Sequence, residues 1–209
     1  ELVVGAPGAA STSYIYPAAL NQLVGTKFRI VAGYPGGNDV NLAMEKGEVG
    51  GRGSNSWASW KSGHPHWLAE GKVNILVQIG LQRAPDLPNV PLMLELAKND
   101  EDRQVLTFMS ADMGISRAFV TTPDVPPARL AALRRAFDQM IKDPEFLAEA
   151  AKTKMDISPS TGEEAQKVAE SMLNMPPRII QRAFVNIAEK LARNANDRLI
   201  QLCQHDALN

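Results

Sequence analysis

The sequence is poor in the two residues that most often bind metals. Its single cysteine, Cys203, excludes an intrachain disulfide and any cluster of thiolate ligands. It has three histidines and no Gly-x-Ser-x-Gly segment, so a Ser-His-Asp hydrolase lacks its usual sequence support. We therefore assign no catalytic residue and no metal ligand.

The sequence also has no excess of one charge. Lys and Arg number 22 against 23 Asp and Glu, for a formal net charge of −1. Because binding to a phosphate backbone depends on a basic surface, nucleic acid is excluded as an expected partner. No run of 18 apolar residues occurs, and residues 1–5 lack the basic and apolar regions of a signal peptide. With 44% hydrophobic and 22% charged residues, we expect an ordinary water-soluble globular chain.

The first half of the sequence alternates short β-like runs with helical segments. Gly25 and Gly47 are predicted to end the first two helices, and Pro17 fits only if it lies in the first helical turn. Such alternation favours a mainly parallel sheet with helices on its faces, with ligands bound beyond the carboxyl ends of the strands. Strands are predicted at residues 2–4, 27–32, 48–54 and 73–79, and helices at 14–24, 39–46 and 57–70, the last broken near 64–66.

The second half is predicted to be mainly helical. Pro126 and Pro127 begin a helix whose apolar stripe, Leu130, Leu133, Phe137, Met140 and Ile141, is predicted to lie in the core. Thr161 and Glu164 have the spacing of a capping box. The remaining predictions are helices at residues 91–98, 143–152, 165–173 and 178–202, and strands at 105–109, 115–121 and 155–157.

Two glycine-rich loops could present backbone N–H groups to an anion. Gly5 and Gly8 precede a helix, whose N-terminus combines unpaired donors with a favourable dipole, but no Walker motif is present. The second loop, residues 51–56, begins like a dinucleotide-binding motif, although Ser56 replaces its third glycine. For both loops a tight turn is the competing interpretation.

Arg52 lies between two glycines at a predicted strand end. There its guanidinium could offer two parallel hydrogen bonds to a carboxylate. The competing interpretation is an ion pair with a local acid, Glu48 or Asp39. Three uncharged polar residues suited to orienting a small ligand follow: Ser54, Asn55 and Ser56.

Two histidines and two tryptophans lie close together in the sequence. His64 and His66 flank a proline, but no third ligand accompanies them at a recognisable spacing, so we interpret them as surface-loop residues. Trp57 and Trp60 are three residues apart and are predicted to pack into a core.

Six segments, taken in order, resemble the solute-binding receptors of tripartite tricarboxylate transporters. The most specific is the Pro-Asp-Leu-Pro-Asn-Val-Pro run, followed further on by a Thr-Pro-x-x-Pro-Pro helix start. The resemblance covers residues 1–182. The segments are Gly5–Gly8, Tyr34–Gly37, Gly47–Val49, Ala84–Pro91, Thr122–Pro126 and Asp143–Phe146.

The resemblance implies an α/β fold like that of type II periplasmic binding proteins: a mainly parallel sheet flanked by helices, with a helical C-terminal region. It implies a ligand-binding lobe at residues 1–80, the remainder of the binding fold at 81–182 and a helical extension at 183–209. Family members begin with a signal peptide and a preceding lobe, so the N-terminal part is expected to be missing here. With half the cleft absent, this chain alone is expected to bind ligand weakly or not at all.

The function implied is capture of a small organic carboxylate in the periplasm and its delivery to membrane permease subunits, without catalysis or a cofactor. A homodimer that covers an exposed half-core is an open alternative. So is a doubly wound α/β enzyme or sensor domain acting on an anionic or phosphorylated ligand. The expected ligand-binding residues are Gly8, Ala9, Ser11, Thr12, Ser13, Tyr34, Gly36, Asn38, Arg52, Ser54 and Asn55.

Overall fold

The structure, a computed structural model, describes residues 1–115, 117–153, 155 and 157–184. These residues fall into two compact units. The first contains residues 1–55, 93–109 and the described part of 176–209, and the second contains 56–92 and 110–175. The division into binding lobes at residues 80 and 182 stays a prediction.

The chain is mixed α/β, as predicted. The strands are β1 (Val3–Ala6), β2 (Arg29–Ala32) and β3 (Gly51–Arg52). The helices are α1 (Thr12–Ala19), α2 (Gly37–Glu45), α3 (Trp57–Gly63), α4 (Pro65–Ala69), α5 (Asp100–Ala111), α6 (Pro127–Met140), α7 (Pro144–Lys152) and α8 (Gly162–Leu173). A π-helical turn at Leu20–Val24 extends α1, 3-10 turns lie at Met93–Leu96 and Asp112–Gly114, and residues 177–184 are helical.

The three strands form a parallel sheet in the order β2-β1-β3. Val3 to Ala6 of β1 lie opposite Arg29 to Ala32 of β2, and Gly5 lies opposite Arg52 of β3. Because β1 is the central strand, the chain first adds β2 on one side and then crosses over to add β3 on the other.

Helices α1 and α2 cover opposite faces of this sheet. The Ala6 side chain is fully buried against Tyr14 and Ala18 of α1. Gly5 precedes Ala6 in the strand and therefore faces the opposite side of the sheet. There it lies against Val40 of α2, and a Cβ at Gly5 would come within 2.7 Å of that side chain. The strand-loop-helix interpretation of the first 55 residues is therefore confirmed.

Both predicted glycine helix ends are present, but Pro17 is not where it was expected. Gly25 and Gly47 have φ of 84° and 73°, a left-handed conformation that glycine adopts without strain. Pro17 lies inside α1, beyond its first turn. Since proline has no N–H, the carbonyl oxygen of Ser13 cannot receive the usual helical hydrogen bond from residue 17.

The predicted strand at residues 105–109 is wrong, because this segment belongs to α5. A short apolar run is ambiguous between strand and helix, and here the residues that precede it decide. The Asn99 side chain accepts a hydrogen bond from the Asp102 N–H over 2.8 Å and so caps the helix start. The Asp102 carboxylate is buried and ion-paired with Arg182 at 2.5 Å, which joins α5 to the helical residues 177–184.

Two further strands were predicted where the structure has none. Residues 73–79 belong to no strand or helix and make one isolated bridge, between Gln78 and Leu92. The described residues of 115–121 form no strand, and Phe119 and Val120 are 89% and 85% exposed. A β-branched run forms a strand only where a neighbouring strand pairs with it along its length; in the described part of the chain, residues 73–79 have a single bridge and residues 115–121 have no pairing.

In the second unit, α6 and α7 begin within a residue of their predicted starts, and α8 begins three residues earlier than predicted. Asp143 caps α7 by accepting hydrogen bonds from the N–H groups of Glu145 and Phe146, each over 2.9 Å. Thr161 and Glu164 form the capping box of α8, and the hydrogen bonds from Thr161 lower the pKa of the Glu164 carboxyl. The 91–98 helix is only a 3-10 turn, and the 155–157 strand and the 178–202 helix lie partly outside the described residues.

The apolar stripe of α6 is on the predicted helix, but its assignment to the core is wrong. None of its residues is fully buried, and Leu133 and Met140 are exposed. Phe137 lies against Phe119, with ring centroids 6.0 Å apart. Helical spacing places the stripe on one face, but burial requires a second apolar surface to cover that face.

Candidate functional site

The carboxyl ends of all three strands lie at one edge of the sheet. The predicted binding residues lie in the loops that leave this edge, in the first turns of α1 and α2, which follow two of those loops, and at the end of β3. After β2 the chain crosses the sheet and adds β3 on the opposite side of β1. The strand order therefore reverses between β1 and β3. In open α/β sheets this reversal opens a crevice suited to ligands.

Three hydroxyl groups meet at this reversal. The Ser13 hydroxyl is buried and donates to the carbonyl oxygen of Ser54 over 3.0 Å. The Ser54 hydroxyl in turn donates to Oγ1 of Thr12 over 2.9 Å. Thr12 is exposed, so this pair of hydroxyl groups lies at the protein surface, at the first turn of α1.

A close backbone approach brings these hydroxyl groups together. A Cβ at Gly53 would overlap the carbonyl oxygen of Ser13 and come within 2.7 Å of the Pro17 ring. Only glycine allows the loop after β3 to pass so close to α1. Gly53 therefore sets the contact between Ser54 and Ser13.

Arg52, the last residue of β3, is half-buried beneath the first turn of α2. Its Nη1 donates to the carbonyl oxygen of Gly37 and to Oδ1 of Asn41, each over 3.2 Å. Among the described residues it has no carboxylate partner, so the competing interpretation, an ion pair with Glu48 or Asp39, is wrong. The physical reason is that neutral oxygens of α2 occupy the guanidinium instead.

Burial changes the electrostatic environment of Arg52. Burial lowers the pKa of its guanidinium, although arginine stays protonated in proteins. Its Nε is fully buried and has no hydrogen-bond acceptor in the part of the chain that the structure describes. The carboxyl edge thus carries a positive charge that no ion pair among the described residues neutralises, although the first turn of the neighbouring α2 contains the acid Asp39.

The first turn of α2 has no side-chain cap. Gly36 precedes the helix and, lacking a side chain, provides no cap, and Asn38 in the first turn is exposed. Tyr34 is half-buried, and a Cβ at Gly5 would come within 3.2 Å of its ring. The first N–H groups of the helix have no partner within it, and Asp39 in the same turn offsets part of their positive potential.

The other predicted residues differ in what they can offer a ligand. The Ser11 hydroxyl donates to the Gly8 carbonyl oxygen over 2.6 Å and therefore shapes the loop. Ala9 packs partly into the core beside Ala6, so its side chain is structural. Asn55 is half-buried at the end of the first unit. Whether these residues bind a ligand stays a prediction.

Sequence reasoning missed Asn41. It is buried and contacts Arg52, yet nothing in the sequence of α2 relates it to a residue eleven positions later. The only available signal was a polar residue beside Val40, on the helix face expected to pack on the sheet.

His64, His66, Trp60 and Trp67 form a cluster of rings in the second unit. His64 stacks against Trp67 with ring centroids 4.7 Å apart, and Trp60 and Trp67 are buried, which confirms the prediction for Trp60. Trp57 is only half-buried and its indole N–H donates to Asp86 over 3.1 Å. His66 is exposed, and no group of three potential metal ligands occurs among the described residues. Nor is any described helix long and apolar enough to cross a membrane.

Comparison with known proteins adds no family assignment. The sequence matches no protein-family model and has no significant similarity to a curated protein.

Proposed function

We propose that the first unit binds a small organic carboxylate at the carboxyl edge of its sheet. The observation that carries this proposal is Arg52, a half-buried guanidinium that faces no carboxylate among the described residues. Removing a charge from water is costly unless an opposite charge compensates for it. A bound anion supplies that compensation.

The surroundings of Arg52 suit a carboxylate in particular. The hydroxyl groups of Thr12 and Ser54 can donate to or accept from its oxygens, and the helix starts of α1 and α2 offer backbone N–H groups. Hydroxyl and amide groups of this kind fix the orientation of a small polar ligand. No general base is assigned to the edge, so we propose binding without chemical conversion.

We further propose that the chain is the extracytoplasmic solute-binding subunit of a tripartite tricarboxylate-type transporter. Support comes from the order of the six segments in the sequence and from the parallel sheet whose edge carries the first of them. In this proposal the fold is of the type II periplasmic-binding-protein class. The ligand is captured in the periplasm and passed unchanged to permease subunits in the membrane.

The test is a titration of the ¹⁵N-labelled 209-residue chain with succinate and citrate, followed by the backbone amide resonances. NMR detects binding even if it is weak, as expected for half a cleft. We expect saturable shifts at residues 8–13, 36–38 and 52–55, and none with succinamide, which has the same shape as succinate without the charge. Absence of these shifts, or equal shifts with succinamide, would contradict the proposal.

Two arginine variants provide a matched comparison. Arg52→Gln removes the charge at the carboxyl edge, and we expect carboxylate binding to weaken about 10- to 100-fold, as loss of a charged hydrogen bond predicts. Arg29→Gln removes an equal charge at the start of β2, at the opposite edge of the sheet, and should leave binding unchanged. Inorganic phosphate is the third probe: tighter binding of phosphate than of succinate would favour the enzyme or sensor alternative.

A further inference from the structure

Helix α6 and the segment before it leave large apolar side chains uncovered in the second unit. Leu133 and Met140 of the helix are 54% and 40% exposed, and Phe119 is 89% exposed. Phe119 lies against Phe137, so it borders the apolar stripe of α6. We call the surface formed by Phe119, Leu133, Phe137 and Met140 the α6 face.

The described structure supports α6 along one flank. Arg134 donates to the side chains of Glu163 and Gln166 in α8, each over 2.8 Å. A Cβ at Gly162 would come within 2.5 Å of the Arg134 Nε, so the start of α8 lies directly against this flank. No residue of α6 is fully buried, and a helix of 14 residues is marginal until one of its faces is covered. A surface that covers the α6 face therefore stabilises the helix.

The charges along α6 are segregated by sign. All the arginines of the helix precede Phe137, whereas acids predominate at its end and just beyond it. In order, these residues are Arg129, Arg134, Arg135, Asp138, Lys142, Asp143 and Glu145. The pattern complements itself when a second copy lies antiparallel, because the basic start of each helix then faces the acidic end of the other. An anionic membrane or a nucleic acid, which carries one sign of charge, matches only the basic half.

We infer that the α6 face binds a second copy of this chain about a two-fold axis, with the two α6 helices antiparallel. In such a contact the same surface serves on both partners, as in most homodimers. The four side chains of the α6 face present on the order of 400 Å² of apolar surface, given the areas of side chains of this size. A standard interface buries about 800 Å² per partner, of which slightly more than half is apolar, so the α6 face is large enough.

Sedimentation equilibrium of the full chain tests this inference. We expect a mass of about twice the 22.7 kDa of the single chain, with a concentration dependence that gives the dissociation constant. Leu133→Arg places a charge in the α6 face and should weaken the dimer at least about tenfold. Because Leu133 is exposed in the single chain, the variant should keep its fold, which circular dichroism checks. Leu42→Arg is the matched control, since Leu42 is 47% exposed on α2 of the first unit, and it should dimerise like the wild type.

A charge reversal tests the antiparallel arrangement. Arg129→Glu puts an acid opposite the acidic end of the partner helix, so the dimer should weaken by about three- to tenfold. In a parallel arrangement the same change would relieve repulsion between two basic starts and tighten the dimer. Arg103→Glu makes an equal change at an exposed position of α5 in the first unit and should leave the dissociation constant unchanged.

Three results would overturn the inference. A wild-type chain that stays monomeric up to about 100 μM has no such contact. Equal effects of Leu133→Arg and Leu42→Arg would place the contact elsewhere. A monomeric chain that binds vesicles of phosphatidylcholine and phosphatidylglycerol, and loses this binding in Leu133→Arg, would assign the α6 face to a membrane surface. Tightening by Arg129→Glu would refute the antiparallel arrangement. The carboxylate titration is a separate measurement, so the proposed function stands or falls independently.

Discussion

The side chain of Gln78 accepts a hydrogen bond from the backbone N–H of Ala84 over 2.8 Å. The same side chain donates through Nε2 to the carbonyl oxygens of Leu87 and Val90, over 2.8 and 2.9 Å. A single glutamine thus organises the proline-rich loop that follows it, because the prolines in that loop cannot donate backbone hydrogen bonds. The shape of this loop therefore depends on Gln78, which lies outside the Pro-Asp-Leu-Pro-Asn-Val-Pro motif.

Gln78→Glu should destabilise the second unit. The change replaces a donor with an acceptor that faces two carbonyl oxygens, at a cost of about 2–3 kcal/mol. Urea denaturation followed by tryptophan fluorescence measures this, since all three tryptophans lie in the second unit. Gln82→Glu, at an exposed position nearby, is the control and should change stability by less than about 0.5 kcal/mol. Equal effects of the two variants would contradict the role of Gln78.

The hydrogen bond between Trp57 and Asp86 should be lost only at acid pH. The indole N–H of Trp57, followed by Lys61, lowers the pKa of the Asp86 carboxyl. A lowered pKa in the folded state means that the contact stabilises the fold above the unfolded pKa and is lost as pH falls through the folded one. The Trp57 indole N–H resonance should therefore titrate with a midpoint below the ordinary aspartate value of about 3.9. Asp86→Asn should abolish this titration, and a midpoint at or above 3.9 would refute the assignment.

Gly53→Ala should disrupt the carboxyl edge. Its Cβ would overlap the Ser13 carbonyl oxygen, a backbone atom that cannot move aside, and overpacking of this kind costs about 1–3 kcal/mol or more. Gly8→Ala is the matched control, because nothing lies within 4 Å of its added Cβ. Thermal unfolding followed by circular dichroism should show a lower midpoint for Gly53→Ala and almost no change for Gly8→Ala. A neutral Gly53→Ala would mean that the loop after β3 does not pack on α1 as described.

The sequence predicted local structure where the signal was local. Gly25, Asp143 and the Thr161–Glu164 pair begin or end helices through contacts within a few residues, and all three predictions are confirmed. The strands at residues 73–79 and 115–121 failed because pairing depends on a distant partner, which propensity does not reveal. The α6 stripe failed in the same way, since Leu133 lacks the covering surface that burial needs.

The candidate site was predicted in outline and missed in detail. The glycine-rich loops and Arg52 could be placed at one edge because parallel strands all end there. The partners of Arg52 could not be predicted, because they depend on how closely α2 approaches β3. That distance is set by Gly37, and no spacing in the sequence encodes it.

Pro17 and Gly53 both lie at a single contact, where the loop after β3 packs against α1. The proline leaves the Ser13 carbonyl without its helical donor, and the glycine lets the loop after β3 pack closely against that carbonyl. An N–H at position 17 would give the Ser13 oxygen a helical donor, whereas a side chain at position 53 would push the loop away. A side chain at position 53 would meet both the Ser13 carbonyl oxygen and the Pro17 ring, so the contact needs the glycine opposite the proline. A redesign that moves this site to another scaffold must therefore transfer both residues together.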